Sequence, residues 1–463
     1  MNITETVAGF VAETRLDIVP EEGIRQAKRA ILDTLGVSLA GSEDESVRTL
    51  TEVALERGGK PTAGVIGTGI RTDCLTAALI NGTMAHALDY DDVNDSMMGH
   101  PSAPLMPAVM ALGEEVGASG SRVLEAFLAG FEVECKLGLA VGRSHYVKGW
   151  HATSTLGTMG AAAAAAKLLE LDAYRTQMAL GIAASMAGGI RQNFGTMTKP
   201  LHVGQASRNG VLAAILAQKG FTASPHVLDA PLDFCQLFST DDFDVGKLDG
   251  TLGSPWEIIS SGITVKKYPC CNNVHRTLDA TLEIVDRHRP SPGEVAGVKV
   301  ITPPGEDLAL IYSRATTGLE GKFCMQYCVA AALLDGKVDP ATFDDEQVAR
   351  RGVQSLSSKV SLVADPEQAQ VVVESRGHVE VRVSMKDGQE YVERVSTARG
   401  SAENPLSWSE LVDKYTSCAR ALLSSEQVER SIKLIESLEE LPNVKELMGT
   451  VSLVVPQREM SST

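Results

Sequence analysis

The sequence predicts a mainly α-helical protein whose helical domain is interrupted by an α+β insertion. Helical periodicity runs through most of the chain up to Lys219, β-branched segments follow Trp256, and helical periodicity returns from Trp408. Aromatic residues are only 5% of the 463 residues, and glycines alone number 42. A chain rich in small residues and poor in aromatic ones favours closely packed helices over a large antiparallel sheet.

The helical elements of the N-terminal part are predicted by the spacing of apolar residues. After Pro20, apolar positions from Ile24 to Leu39 recur at helical spacing, acids fill the first turn, and Gly41 ends the segment. Six further segments have the same periodicity, with Gly, Pro, Asp or Ser near their ends: Leu75–Leu88, Pro107–Val116, Arg122–Val141, Ser154–Leu171, Tyr174–Ala187 and Gln205–Lys219. The alanine-rich stretch 160–167 lies within one of them and indicates a close helix–helix crossing.

The middle of the chain is predicted to be α+β. Ile258–Lys266 and Val298–Ile301 have the β-branched composition of short strands, whereas Val274–Arg287 has helical spacing. Further along, apolar and polar residues alternate on both sides of Asp387-Gly388, which predicts a β-hairpin that turns at these two residues.

These patterns divide the chain into three parts. Residues 1–262 are expected to form the N-terminal part of an all-helical domain, and residues 263–400 a smaller α+β domain. Residues 401–463, which include WSELVDKYTSCARALL and QVERSIKLIESLEEL, are expected to supply C-terminal helices that complete the helical domain.

Charge and composition exclude several classes of partner. The formal net charge is −17 and the isoelectric point about 5.1, a balance that repels nucleic acid and anionic membranes. The first residues carry Glu5 and Glu13 where a secretory signal needs a basic segment, and no apolar stretch has the ~18 residues that span a bilayer. We therefore expect a cytoplasmic protein that binds neither nucleic acid nor membrane.

The eight cysteines are expected to be free thiols. None forms a CxxC pair, Cys270 and Cys271 are adjacent, and Cys324 and Cys328 are one helical turn apart. That spacing is not the ligand pattern of a zinc ribbon or an iron–sulfur cluster, so no structural metal is predicted.

Residues 86–107, HALDYDDVNDSMMGHPSAPLMP, place four acids and two histidines at a helix end and in the loop that follows. Acids and histidines held together supply proton donors and acceptors whose pKa values the surroundings can shift, as general acid/base catalysis requires. Asp89 and His100 are therefore the first candidate catalytic residues. The alternative is that the acids are solvated residues at a helix end.

Four other segments combine charge with unusual local chemistry. GWHATSTLGTMG contains His151, TKPLHVGQASRNG contains Lys199, VKKYPCCNNVH begins with Lys266 after its valine, and GLEGKFCMQYCVAAALLDG opens a helix. Each segment has a plain alternative: the histidine could be a satisfied neighbour of a helix N-terminus, the lysines could be solvated, and the cysteines could be core thiols.

Together and in this order, the segments resemble the MmgE/PrpD family, whose members include 2-methylcitrate dehydratase, cis-aconitate decarboxylase and iminodisuccinate epimerase. The resemblance is carried by HALDYDD, GHPSAPLMPAVMALGE, GWHATSTLGTMGAAAAAAKLLEL, KPLHVGQASRNGVLAAILAQKGF, KKYPCCNNVHRTLDA and NPLSWSELVDKY. It implies an all-α domain formed by both chain ends, an α+β lid, and an active site between them. It also implies a homodimer whose chemistry needs no metal or organic cofactor.

The resemblance implies catalytic and binding residues at five positions, namely Asp89, His100, His151, Lys199 and Lys266. The segment that contains Tyr268, Cys271 and His275 is expected to add to substrate binding. Two positions differ from the decarboxylase members of the family, which carry a histidine at the position of Cys271 and a threonine at that of Val93. The family's lid tyrosine does not align clearly, and Tyr312 is only nearby.

The family's reactions share the movement of a proton on a carbon next to a carboxylate. We expect His100 to transfer the proton, Asp89 to orient its ring, and His151 to act as the complementary acid. Lys199 and Lys266 are expected to hold the carboxylates of a di- or tricarboxylic acid.

The expected function is that of a cofactor-independent lyase of the dehydratase type, acting on a 2-methylcitrate-like acid. An epimerase of an α-substituted dicarboxylate such as iminodisuccinate is the alternative. A cis-aconitate-type decarboxylase and a catalytically silent carboxylate-binding protein are further alternatives.

Overall fold

The computed structural model describes residues 2–240, 242–368 and 377–453. Its helices are α1 Ile3–Glu13, α2 Glu21–Gly41, α3 Glu45–Arg57, α4 Cys74–Ala87, α5 Ser102–Val116, α6 Gly120–Val147, α7 Ala152–Leu168, α8 Ala173–Ala184, α9 Thr198–Gln218, α10 Phe234–Phe238, α11 Glu257–Ser260, α12 His275–His288, α13 Gly318–Gly321, α14 Met325–Asp335, α15 Asp345–Val348, α16 Arg351–Ser357, α17 Trp408–Ala419, α18 Ser425–Glu436 and α19 Lys445–Thr450. Its strands are β1 Ala63–Gly64, β2 Arg71–Thr72, β3 Val295–Thr302, β4 Val360–Ala364, β5 Val379–Met385 and β6 Glu390–Val395.

The largest hydrophobic core is helical and joins the two ends of the chain. Buried side chains of α1 to α9 form one cluster with those of α17 to α19, among them Ile31 of α2, Tyr415 of α17 and Ile435 of α18. Tyr415 packs so closely on α2 that a Cβ atom at Gly36 would lie 2.9 Å from its ring. The predicted fold class, mainly α with an α+β part, is confirmed.

The second hydrophobic core belongs to the α+β part. Its four-stranded sheet has the order β4-β3-β5-β6, in which β3 and β4 run parallel and the other neighbours are antiparallel. Buried valines of β3 and β5 alternate with more exposed residues, and α12 and α14 contribute further apolar side chains to the cluster. The predicted strand at Val298–Ile301, the helix at Val274–Arg287 and the hairpin at Asp387-Gly388 are confirmed.

Three sequence predictions were wrong in their bounds or type. Helix α5 begins at Ser102 rather than Pro107, because Pro104 lies in the first turn, where its missing N–H costs no helical hydrogen bond. Helix α9 begins at Thr198 rather than Gln205. Ile258–Lys266 is not a strand: helix α11 is followed only by an isolated bridge to the 90s loop.

Glycines allow the helices α4, α6, α7 and α9 to approach one another closely. Where α4 crosses α9, a Cβ atom at Gly204 would lie 2.2 Å from the Leu79 carbonyl oxygen. At the α6–α7 crossing, a Cβ atom at Gly130 would lie 2.7 Å from the Gly160 carbonyl oxygen, so the alanine-rich stretch does mark a close crossing. These contacts place the C-terminal end of α4 beside the first turn of α9.

The remaining composition-based expectations concern thiols and membrane spans. All eight cysteines are free and buried, as predicted. Within residues 2–240, 242–368 and 377–453, no helix has the length and apolar character of a bilayer-spanning segment.

Candidate active site

The acids of residues 86–107 are buried instead of ending a helix in solvent. Asp89 is 3% exposed, and Asp91 and Asp92 are fully buried. The solvated-residue alternative is therefore wrong for these three carboxyl groups. Burying a charge is costly unless it is paired, so the partners of each carboxylate define the chemistry of the segment.

Asp89 is held between two lysines just beyond the end of α4. One carboxylate oxygen lies 2.6 Å from Lys199 Nζ and the other 3.1 Å from Lys266 Nζ. Burial alone would raise the pKa of Asp89, but the two ammonium groups lower it well below its ordinary range. Asp89 adopts a left-handed backbone conformation, with φ of 52°, which turns the chain sharply at this residue.

Asp91 lies between two imidazole rings. His86 Nδ1 is 2.8 Å from one of its oxygens, and His100 Nδ1 is 3.1 Å from the same oxygen. Asp89, in contrast, is 3.9 Å from His100 Nε2, beyond hydrogen-bond distance. The expectation that Asp89 orients the His100 ring is therefore not met by a hydrogen bond: Asp91 lies closer to this ring, although its contact with Nδ1 has an ion-pair distance without hydrogen-bond geometry.

The histidines of this cluster are neutral. Burial lowers the pKa of His86 to about 3, and burial also lowers the pKa of His100, although Asp91 opposes both shifts. His86 Nε2 lies 2.6 Å from Lys199 Nζ and accepts a hydrogen bond from its ammonium group, so Nδ1–H of His86 donates a hydrogen bond to Asp91. With its own Nδ1 at Asp91, His100 has Nε2 left as a proton acceptor.

His151 lies on the other side of His86 and precedes α7. Its Nδ1 is 3.1 Å from His202 Nδ1, and its ring meets Phe194 edge to face with centroids 5.1 Å apart. Burial and the nearby Lys199 lower the pKa of His151 well below its ordinary value. His202 lies in the segment TKPLHVGQASRNG but was not selected as a site residue. It faces this group because α9 begins at Thr198 and carries it in its second turn.

A narrow cavity of about 40 Å³ lies beside this cluster. Members of both hydrophobic cores contribute to its wall, such as Met98 of the helical core and Phe323 of the α+β core. The lining residues are Asp89, Val93, Met98, Gly99, His100, Tyr146, His151, Thr153, Phe194, Lys199, Lys266, Cys271, Asn272, Asn273, Ala309 and Phe323. Phe194 and Phe323 contact each other with ring centroids 5.4 Å apart, and both rings lie 5.1 Å from Lys199 Nζ. The volume has room for about three water molecules, so a larger ligand requires these walls to separate.

Six of the eight predicted site residues line the cavity, and two do not. Tyr268 donates its hydroxyl to Asp279 at 2.8 Å and lines a separate, open groove of about 740 Å³. His275 is buried against the Tyr268 ring, with Nε2 3.4 Å from the Cys270 carbonyl oxygen. The structure therefore separates both residues from the cavity, although their neighbour Cys271 lines it.

The cluster also has the donor atoms of a metal site. One ligand atom from each of His86, Asp89, Asp91 and His100 lies within 4.8 Å of the others. Lys199 Nζ is 2.6 Å from both His86 Nε2 and an Asp89 oxygen, so an ammonium group already satisfies two of the four donors. The four donors suit a cation, and the ammonium group of Lys199 is a cation of the chain itself that contacts two of these residues.

Sequence reasoning did not select His86 or Asp91 as site residues. Both lie in HALDYDD, and His86 is on the last turn of α4, where helical spacing alone does not distinguish a site histidine from a core histidine. The signal was the density of titratable residues, which identified the segment but not which carboxylate faces which ring.

Comparison with known proteins identifies the family of the chain. The family model described as MmgE/PrpD N-terminal domain matches residues 5–245, and that of the MmgE/PrpD C-terminal domain matches residues 268–440. Cis-aconitate decarboxylase of Homo sapiens is 30% identical over 450 residues, covering 95% of this chain and 92% of the human protein. Cis-aconitate decarboxylase of Aspergillus terreus (strain NIH 2624 / FGSC A1156) is 26% identical over 98% of this chain and 96% of its own length. The 2-methylcitrate dehydratase of Cupriavidus necator is 24% identical over 76% of each chain.

Proposed function

Because this chain belongs to the MmgE/PrpD family, we propose that it is a cofactor-independent lyase of the dehydratase type that acts on a 2-methylcitrate-like di- or tricarboxylic acid. The observation that carries the proposal is the neutral, buried His100, whose Nδ1 faces Asp91 and whose Nε2 remains as a proton acceptor. A neutral imidazole next to two ammonium groups suits removal of a proton α to a carboxylate.

The first proposed step is proton abstraction. His100 Nε2 takes a proton from the carbon next to a substrate carboxylate, and the electron pair of that C–H bond delocalises into the carboxylate. Lys199 and Lys266 stabilise the resulting charge, because both ammonium groups are buried and already oriented by Asp89.

The second proposed step expels the β-hydroxyl group as water. His151 is proposed as the acid, since it lines the cavity together with His100 and donates once protonated. It is neutral in the free protein, and a bound substrate carboxylate would favour its protonated form. The C–O electron pair leaves with the hydroxyl, and the new C=C bond takes the carbanion pair.

Decarboxylation of a cis-aconitate-like acid is the second candidate. It is favoured by relatives named cis-aconitate decarboxylase, which match almost the whole chain at up to 30% identity. The apolar walls of the cavity, Phe194 and Phe323, also suit a carboxylate that leaves as neutral CO2. Val93 and Cys271, which replace the threonine and histidine of the decarboxylase members, weaken this candidate.

Proton NMR in D2O distinguishes the candidates. The protein is incubated separately with 2-methylcitrate, citrate, cis-aconitate and iminodisuccinate, and each reaction is repeated with His100→Ala. The matched control is His226→Ala, which removes an exposed histidine outside the cavity. With wild type and His226→Ala, we expect the methyl doublet of 2-methylcitrate to be replaced by the methyl singlet of its dehydration product, whose C=C bond carries no hydrogen. With His100→Ala, the rate of this change should be reduced about 10²–10⁴-fold.

The other outcomes are equally specific. Release of CO2 from cis-aconitate would support the decarboxylase, and deuterium entering iminodisuccinate without an alkene would support the epimerase. No reaction with any of the acids, together with ligand-induced thermal stabilisation, would contradict a catalytic role and support carboxylate binding only.

A further inference from the structure

Three lysines from three parts of the chain bind carbonyl oxygens at the C-terminal end of α4. Lys322 Nζ lies 3.4 Å from the Ala87 oxygen, Lys266 Nζ 2.8 Å from the Asp89 oxygen, and Lys414 Nζ 2.9 Å from the Tyr90 oxygen. Ala87 ends α4, so its carbonyl lacks an intrahelical partner and carries partial negative charge, whereas the Asp89 and Tyr90 carbonyls belong to the turn that follows the helix.

Of these three lysines, Lys266 lines the cavity, Lys322 lines neither the cavity nor the open groove, and Lys414 lines the groove. Lys414 is on α17 and is absent from the cavity lining. Its ammonium group is also 2.7 Å from Asp33 of α2 and 3.9 Å above the Tyr90 ring. Lys414 is therefore held in place where α2 packs against α17, and its ammonium group in turn holds the Tyr90 carbonyl.

The carbonyl that Lys414 holds belongs to the residue between the two site carboxylates. Asp89 precedes Tyr90 in a left-handed conformation that is uncommon for a residue other than glycine, and Asp91 follows it. The Tyr90 carbonyl is part of the peptide group that joins Tyr90 to Asp91. Rotation of this group would turn the backbone at Asp91 and direct its carboxylate away from the rings of His86 and His100.

We propose that Lys414 is a positioning residue for the reaction, because it fixes the Tyr90 carbonyl and with it the direction of the Asp91 carboxylate. This inference rests on the proposed function, in which His100 needs Asp91 beside it. Lys414 does not contact the substrate, so its loss acts on kcat much more than on KM.

The test compares Lys414→Met with Lys414→Arg and with Lys267→Met. Lys267 lines the same groove, but its ammonium group pairs with Asp279 instead of a carbonyl of the turn, so it is the matched control. We expect Lys414→Met to lower kcat about 10²-fold, as misplacement of catalytic groups by about 1 Å does, with KM within about threefold of wild type. Lys414→Arg should recover most of this loss, and Lys267→Met should behave as wild type.

Chemical rescue provides a second measurement. Because Lys414 borders the open groove, ethylammonium added to Lys414→Ala can reach the vacated position, and it should restore kcat in this variant without changing kcat of wild type. If Lys414 had only a structural role, the amine would raise the melting temperature of Lys414→Ala without restoring kcat. Should Lys414→Met not fold, Lys414→Ala with the amine and Lys414→Arg alone decide the question.

Failure of this inference is distinct from failure of the proposed function. Wild-type kcat in folded Lys414→Met would overturn the positioning role while leaving the lyase intact. If wild type converts none of the acids, the imidazole signal of His100 still provides a readout: an identical titration curve in wild type and Lys414→Met overturns the inference, and a shifted curve supports it.

Discussion

The cavity and the open groove lie on opposite sides of the same two chain segments, and they differ mainly in burial. Asp89 and Lys266 line the cavity, whereas their sequence neighbours Tyr90 and Lys267 line the groove. Both regions contain opposed charges. Those in the cavity are excluded from water, while Lys267 in the groove is 45% exposed and screened by solvent. A shift of one residue along the chain therefore separates buried ion pairs, which interact strongly, from solvent-exposed ion pairs, which interact weakly.

The largest difference between the two regions in stability and activity is expected when each of the adjacent lysines, Lys266 and Lys267, is replaced in turn by methionine. Lys266→Met leaves Asp89 buried with one of its two lysine partners, so we expect about 3–5 kcal/mol less stability and about 10³-fold lower activity. Lys267→Met should cost less than about 1 kcal/mol. Denaturant unfolding and steady-state kinetics measure both. Equal losses in the two variants would refute the distinction between cavity and groove.

The second-largest effect on kcat is expected from replacing a buried carboxylate of the histidine cluster, and it is compared with the same replacement in the groove. Asp91→Asn keeps the size of the side chain but removes the charge that faces His86 and His100, so we expect at least about 10²-fold lower kcat. Asp279, in the groove, accepts hydrogen bonds from Tyr268 and from the Arg399 main chain. Asp279→Asn should therefore affect the melting temperature more than kcat. An Asp91→Asn enzyme with wild-type kcat would rule out Asp91 as the partner of His100.

The smallest effect is a shift in pH dependence. Burial lowers the pKa of His100 below its ordinary value of 6.5, and Asp91 partly opposes this shift. His100 therefore contributes stability above pH 6.5 that is lost as the pH falls through its lower folded-state pKa. NMR titration of the imidazole should give a midpoint below 6.5 in wild type and a still lower one in Asp91→Asn. Asp279→Asn should leave the midpoint unchanged, and an upward shift in Asp91→Asn would contradict the assigned pairing.

The sequence was a good guide to elements with clear periodicity and a poorer guide to helix starts. The hairpin at Asp387-Gly388 and helix α2 were predicted because alternation and helical spacing report directly on buried faces. The starts of α5 and α9 were missed, because Pro104 and the polar first turn of α9 have the composition of loops. In Ile258–Lys266, tertiary contacts outweighed the β-branched composition.

The candidate site was predictable as a segment and by resemblance, but its pairing was not. Asp89, His100 and Lys199 were selected before the structure was known, and all three line the cavity. That Asp91 faces the imidazoles follows from a positive φ at Asp89, which no pattern of residue types reveals. Tyr268 and His275 were expected to bind substrate from their closeness in sequence to Lys266, but chain direction in the loop places them elsewhere.

The contact between α2 and α17 has a consequence for the order in which the protein is made. Residues 408–419 leave the ribosome long after α2, and until then the apolar face of α2 that receives Tyr415 has no partner. The inserted α+β part, with its own hydrophobic cluster, can be completed during this interval. All cavity-lining residues are therefore synthesised before α17, which packs against α2, is available. Activity should begin only after the C-terminal helices have packed against the helical core.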